Sequence, residues 1–248
     1  MAFLIPARDR EYHLQQIMYY LPKLLMNQLS CFGIYILDQF DDKSTFNKAK
    51  LFNAGWIEAR KDKKWDCYAF HDVDLLLQNE TILYKCDLEN NQPKHLTVAI
   101  DKYSYRFKNI KMVGGASLMS EDIIRNINGW SNSFWGWGGE DDNMYFRLRN
   151  RGYTLTRPEF TCKHPYQYDK LGINCAMWQM IRHSRDGGNP LNNHRKDNVK
   201  KTPRDRDGLM QTDYELVKKE LKYNGLFSYL LIDVHAPSIQ DFQRENRT

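Results

Sequence analysis

The chain has 248 residues, 42% of them apolar and 27% charged, with a formal net charge of +5. That length and apolar content sustain one large domain or two tight lobes. The basic patches, Lys61-Asp62-Lys63-Lys64 and Lys200-Lys201, are short and have acids nearby, which excludes a nucleic-acid partner in favour of a solvated face. No apolar run reaches the length of a membrane span, and the start Met1-Ala2-Phe3-Leu4-Ile5-Pro6 is too short for a signal peptide, so the chain as given reads as soluble.

Ala2-Phe3-Leu4-Ile5-Pro6 reads as a short buried strand, followed by the polar Ala7-Arg8-Asp9-Arg10. Two arginines at the end of a first strand are well placed for a diphosphate, because open α/β sheets bind ligands at the strands' carboxyl ends. From Tyr12 to Leu29, Leu14, Ile17, Met18, Leu21, Leu24 and Leu25 recur at helical spacing, and Pro22 is expected to kink or break that helix. Phe32–Leu37 reads as the second parallel strand and Phe46–Arg60 as an amphipathic helix. Asp66–Phe70 reads as a third strand delivering His71-Asp72-Val73-Asp74. Strand, helix, strand, helix, strand opens a doubly wound sheet.

Further on, Leu96–Ile100 reads as one strand and Val113–Ala116 as a small-residue turn. Ser120 is expected to cap the helix Ile123–Ile127, which Asn128-Gly129 closes. A short helix carries Met144, Phe146 and Leu148 up to Arg151-Gly152; Thr161–Met177 reads as a long irregular loop. Beyond Leu191 the chain is basic and polar until a last apolar strand, Leu226–Val234, and residues 237–248 read as a frayed tail. The five cysteines form no CxxC pair, which argues against structural zinc and leaves at least one thiol unpaired; Cys67 and Cys86 are spaced to close a loop. The sequons at Asn79 and Asn246 matter only in a secretory compartment.

The chemistry centres on Phe134-Trp135-Gly136-Trp137-Gly138-Gly139-Glu140-Asp141-Asp142. Tryptophan offers a flat face for a sugar ring, and three adjacent acids repel one another unless a cation, a hydroxyl-rich ligand or a helix N-terminus gathers them. A tight turn with helix-capping acids accounts for only part of this stretch. Asp72 and Asp74 lie two apart at a strand end, on one side of an extended chain, as a hard divalent cation requires. His183 is the best nitrogen ligand, whereas the thioether of Met180 is one that hard cations do not seek, so its spacing alone suggests packing.

In this order, FLIPARDR (3–10), TFNKAKLFNAGW (45–56), HDVDLL (71–76), NGW (128–130), FWGWGGEDD (134–142) and MIRHSRD (180–186) resemble the β-1,4-galactosyltransferases, glycosyltransferase family 7. The likeness runs from Phe3 to Val234 and favours the N-acetylglucosamine-acceptor branch over the xylose-acceptor branch, whose motif is similar to WGWGRED. It implies an α/β fold of GT-A (Rossmann-like) type with a mixed, mostly parallel central sheet in one catalytic domain over residues 1–236. A donor and metal half spans about 1–110, and an acceptor and mobile-loop half about 111–236. It implies inverting, Mn²⁺-dependent transfer from UDP-galactose or UDP-N-acetylgalactosamine to the 4-hydroxyl of terminal β-linked N-acetylglucosamine, on glycoprotein or glycolipid glycans. The place implied is the Golgi lumen, with membrane attachment only through an anchor outside this sequence.

By motif position the resemblance makes Asp74, Met180 and His183 the metal ligands. Pro6, Ala7, Arg8, Arg10, Phe46, Asn47, Lys48 and Val73 are implied to meet the donor, with Trp137 on one mobile loop and His183, Ser184, Arg185 and Asp186 on a second. Gly139, Glu140, Asp141, Asp142 and Arg195 are implied to hold the acceptor, with Asp141 the catalytic base, and Cys67–Cys86 matches a family disulfide. The departures are informative. Ala7 stands where the family has Phe, and Lys48 where it has Arg, which keeps the charge but loses the bidentate fork. Met112 stands where vertebrate members carry the Tyr that favours galactose; it lacks the hydroxyl and can change rotamer, so it is expected to tolerate an acetamido group at the donor's C2. Lys196 and Asn109 replace aromatics near the acceptor, and an insertion around Lys163–Met177 lengthens the approach to the second loop. The reading from another class is a catalytically inactive carbohydrate-binding relative that keeps the Trp137 platform.

Overall fold

The computed structural model describes residues 1–41, 43–107, 109–158, 176–184, 187–196, 199 and 205–246. β1 (Ala2–Ala7) is buried along its whole length, as a central parallel strand covered on both faces must be. Its alternation decides which core each side chain joins. Phe3 and Ile5 pack with Ile17, Leu21 and Leu25 of α1 (Glu11–Gln28), while Leu4 packs with Phe52 and Trp56 of α2 (Lys48–Asp62) on the other face. α1 runs through Pro22 without ending there, contrary to the expected break; the ring is buried and the helix forgoes one hydrogen bond.

β2 (Gly33–Gln39) and β3 (Cys67–His71) flank β1 in parallel, and β10 (Phe227–Asp233) pairs in parallel with β2. β7 (Ala116–Ser120) pairs antiparallel with β3, β5 (Lys94–His95) with β7, and β9 (Glu215–Lys222) with β10. The sheet order is therefore β5-β7-β3-β1-β2-β10-β9, with β7 and β9 running against the other five strands. This is the α/β, mixed and mostly parallel architecture that the sequence implies, in a single domain. A small second sheet holds β4 (Leu75–Leu77), β8 (Met177–Met180) and β6 (Ala99–Ile100) in the order β4-β8-β6.

Four expectations change. Leu96–Ile100 is not one strand: the chain turns after β5, with Val98 N–H bonded to Leu96 O, and only Ala99–Ile100 is extended, as β6 of the small sheet. Val113–Ala116 leads into β7 rather than directly into α3 (Glu121–Asn126), whose cap is Ser120 as expected. The charged stretch before the last strand contains β9, an edge strand whose lysines suit an exposed sheet border. The tail is not frayed throughout: Ser238 caps α5 (Ile239–Glu245), and Phe242 is buried beside Gly136. The expected loop Thr161–Met177 and its insertion lie outside the described residues up to 175, and Met177 itself begins β8.

Cys67, the first residue of β3, forms a disulfide with Cys86 across 19 residues. Closing a loop of that length restrains the unfolded chain by roughly 3 kcal/mol. Cys67→Ser/Cys86→Ser is expected to lose about that much in urea denaturation; an unchanged midpoint would show that the bond contributes nothing to stability.

Candidate active site

The C-terminal ends of β1 and β3 open onto a cleft of about 360 Å³. Pro6, Ala7, Arg8, Arg10, Phe46, Lys48, Val73, Asp74, Trp137, Glu140, Met180 and His183 line it, all of them expected from the sequence. The parallel sheet places the arginines: β1 ends at Ala7, and Arg8 turns under the cleft to donate to Ser44 O at 2.8 Å while its guanidinium lies 4.9 Å from the Phe46 ring centroid. Asn47 stands below the lining as the N-cap of α2, its side chain accepting from Lys50 N–H and donating to Asn132 O.

Strand register gathers the next group. β4 and β8 pair antiparallel with Leu75 opposite Met180, so Asp74 and Met180 share one end of the small sheet. Ile181 N–H bonds Asp74 O at 2.8 Å, and the chain returns His183 to place Nε2 3.4 Å from Asp74 Oδ2. His183 Nδ1 lies 2.6 Å from Ser184 O, which can only accept, and 3.3 Å from Arg10 Nη2, which can only donate; the shorter contact favours a proton on Nδ1, with Nε2 facing the carboxylate. That contact with Asp74 raises the imidazole's pKa above its ordinary value. A carboxylate oxygen, an imidazole nitrogen and a thioether converging on one side of a polar cleft form a donor set that fits a divalent cation with positions left for phosphate oxygens. A cation bound there would compete with protonation of His183.

His71, which opens the HDVD motif, is not part of this group. It is buried, with Nε2 2.9 Å from Tyr84 OH and Nδ1 2.8 Å from Asp72 O, and burial pushes its pKa down to about 4.

Across the cleft, Glu140, Asp141 and Asp142 occupy the first turn of α4 (Glu140–Asn150), where the helix dipole favours negative charge. The N-cap is Gly139 at φ 99°, a conformation that L side chains rarely adopt. Lys48 Nζ sits among three carboxylates, 2.9 Å from Glu140, 3.4 Å from Asp141 and 3.6 Å from Asp72. One ammonium cannot neutralise three acids, so the cluster retains a proton near neutrality. Burial pushes Asp141 up to about 7, against the pull of Lys48, and Asp72 up to about 6 in the same way. Burial works to lower Lys48, but the carboxylates outweigh it and hold the ammonium well above its ordinary value. Glu140 Oε2 is buried without a hydrogen-bond partner among the described residues. Arg195 packs on Gly138 and Gly139 and donates to Asn192 O.

Two models of known families match in sequence along the chain: the N-terminal region of glycosyl transferase group 7 over residues 1–87, and the N-terminal domain of galactosyltransferase over residues 94–170. The chain belongs to glycosyltransferase group 7. Bovine (Bos taurus) β-1,4-galactosyltransferase 1 is 37% identical over 240 residues, 96% of this chain and 55% of the relative. Human β-1,4-galactosyltransferase 3 is 37% identical over 235 residues, 94% of this chain and 55% of the relative. The chain thus spans about half the length of these curated relatives. Among solved structures, the catalytic domain of Drosophila β-1,4-galactosyltransferase 7 in complex with xylobiose superposes with a TM-score of 0.76 at 27% identity, covering 98% of this chain and 97% of that one. A mutant of the same enzyme in complex with manganese, UDP-Gal and xylobiose gives a TM-score of 0.75 at 29% identity, with the same coverage.

Within this group 7 chain the expected residues do not all meet. Met112 is absent from the cleft lining and packs half-buried against the α1-side core. Asp141, half-buried, and Asp142, exposed, are not among the lining residues, and Arg185 and Asp186 lie outside the described residues. Conversely, Lys102 and Asn189 line the cleft without having been singled out in the sequence. The signal for Lys102 was its place just after an apolar strand, the same logic that nominated Arg8.

Proposed function

We propose that this group 7 chain is a UDP-sugar-dependent β-1,4-glycosyltransferase, moving galactose or N-acetylgalactosamine to the 4-hydroxyl of a terminal β-linked N-acetylglucosamine with inversion. The observation that carries this reading is the juxtaposition, across one cleft, of the Asp74–Met180–His183 donor set with Lys48 and Glu140, which Asp141 joins through Lys48 at 3.4 Å.

Arg8, Arg10 and Lys102 hold the donor diphosphate electrostatically, and Phe46 forms an apolar wall for the base. Asp74, Met180 and His183 would hold Mn²⁺, which would supply positive charge against the departing diphosphate. Trp137, half-exposed at the cleft edge, covers the sugars and excludes water. Asp141 takes the proton of the acceptor 4-hydroxyl as that oxygen bonds to the anomeric carbon, and the bond from that carbon to the diphosphate oxygen breaks on the opposite face, with its electron pair leaving on UDP. A carboxyl whose pKa is near 7 suits this task, since it is a stronger base than an ordinary aspartate yet substantially ionised at working pH. Arg195, Glu140 and Asp142 orient the acceptor. The Cys67–Cys86 bond supports an oxidising compartment, in keeping with the Golgi lumen.

The test is UDP release with Mn²⁺ and a β-linked N-acetylglucosamine acceptor, comparing UDP-galactose with UDP-N-acetylgalactosamine. Faster transfer of N-acetylgalactosamine is expected from the family position of Met112, which lacks the tyrosine hydroxyl and leaves the cleft lining for the core beside it. Preference for galactose would overturn the role given to Met112, and no release from either donor would overturn the acceptor assignment.

A further inference from the structure

The strip Ile110–Gly115 belongs to no helix or strand, yet two acids of the site, Asp72 and Asp141, lean on it. Gly115 O accepts from Asp72 N–H at 2.7 Å. Gly114 lies so close to Asp141 that a Cβ there would stand 2.1 Å from Oδ2, so the strip sets how far the Asp141 carboxylate can retreat. Met112 lies between Ile110 and Gly114 on the same strip.

What holds the strip comes from elsewhere in the chain. Arg157 Nη2 donates to Ile110 O at 2.6 Å and to Met112 O at 3.2 Å, and its guanidinium lies 5.3 Å from the Phe107 ring centroid. Arg157 Nε points at His95 Nδ1, 3.4 Å away, and His95 Nε2 lies 2.8 Å from Gly114 O. A carbonyl only accepts, so Nε2 carries the imidazole proton and Nδ1 accepts from the arginine. His95 is fully buried, and burial pushes its pKa down to about 3, which preserves this tautomer at any working pH. The arginine is itself anchored: His95 N–H bonds Thr156 O and Thr156 N–H bonds Pro93 O, so residues 154–157 lie along β5. One guanidinium and one imidazole thus bracket the strip from Ile110 to Gly114.

We propose that Arg157 is a positioning residue for the transfer reaction: with His95 as its relay, it fixes the strip that determines where Asp141 and Met112 stand. It thereby tunes both the transfer rate and the choice between the two donor sugars without touching either substrate. The inference rests on the reading of Asp141 and Met112 given above. A lysine cannot reproduce the function, because its single ammonium lacks the planar fork that spans two carbonyls and faces the imidazole together.

The test combines amide hydrogen exchange with donor kinetics on Arg157→Met, which keeps an apolar stem, and Arg157→Lys. Exchange over residues 110–115 is expected to accelerate at least about tenfold in Arg157→Met, and kcat to fall by about tenfold to a hundredfold, as misplacement by an ångström produces. The ratio of kcat/KM for the two donors is expected to shift by at least about threefold, because Met112 and Asp141 respond unequally to a loosened strip. Arg157→Lys is expected to recover only part of each change. Unchanged exchange overturns the proposal, as does faster exchange with unaltered kinetics. A uniform loss with both donors, in proportion to the unfolded fraction read by circular dichroism, reduces Arg157 to a structural residue and also overturns it. If the unmutated chain transfers neither sugar, the functional reading falls and the exchange result alone decides whether Arg157 holds the strip.

Discussion

Asp141→Asn is expected to lower kcat by roughly 10²–10⁴-fold, the range for removing a general base, while Mn²⁺-dependent UDP binding stays within about twofold of the original. The amide keeps the shape of the carboxylate against Gly114 and can still accept from Lys48, so the cleft is preserved while proton transfer is lost. Loss of UDP binding in parallel with turnover would sink the assignment of Asp141 as base. The unmutated chain supplies a companion measurement. With the Asp141 pKa at about 7, the rate should climb as pH rises through about 7 and the base ionises. Stability runs the other way. The folded-state pKa lies above the 3.8 of an unperturbed aspartate, so the stabilisation linked to the protonated form is present below about pH 4 and lost as pH rises through about 7. Asp141→Asn should therefore melt higher than the original chain at pH 8, by an amount on the order of 1 kcal/mol once solvent screening of this partly exposed group is allowed for, and the gain should shrink steadily as pH falls towards 4.

Asp74→Ala is expected to weaken Mn²⁺-dependent UDP binding by more than about 100-fold, exceeding the 10–100-fold typical of groups one shell further out. The substitution leaves the backbone hydrogen bond from Ile181 N–H to Asp74 O in place, so β4 and β8 remain paired and the loss reports the carboxylate itself. Calorimetric titration of Mn²⁺ in the presence of UDP reads it directly. Affinity within a few fold of the original would remove Asp74 from the ligand set. His183→Ala should weaken binding too, but by less at low pH than at high pH, because the original imidazole must shed a proton before it can ligate and its raised pKa makes that step harder in acid.

The parallel half of the fold is legible because β1, β2 and β3 are largely buried apolar runs and β10 is a mostly apolar one, with α1 and α2 carrying helical periodicity. The antiparallel pieces are less so. β9 reads as a charged loop because neither of its faces is fully buried and its stability comes from pairing with β10. β5 and β6 are two residues each, too short for any period to register. In the site, Asp74, His183 and the acidic turn stand out by chemistry, whereas Met180 is invisible to a rule based on ligand hardness and emerges only from the family likeness and from its register opposite Leu75. Arg157 carries no local signal at all: its partners Ile110, Met112 and His95 lie 45 to 62 positions earlier in the chain.

The backbone around Trp137 has a mechanical consequence. Gly136 N–H bonds Phe46 O, Trp137 N–H bonds Pro190 O, and Asn192 N–H bonds Trp137 O, while Phe242 and Asn246 brace Gly136 and Leu191 from α5 and the residue that follows it. Separating the Trp137 segment from residues 190–192 breaks two of these bonds, at about 1 kcal/mol each. The tryptophan and the stretch that follows the His183 turn are therefore geared together like a crank and rod. Displacing residues 190–192 is expected to displace Trp137 with them, and weakening the α5 contact, as in Phe242→Ala, is expected to uncouple the two.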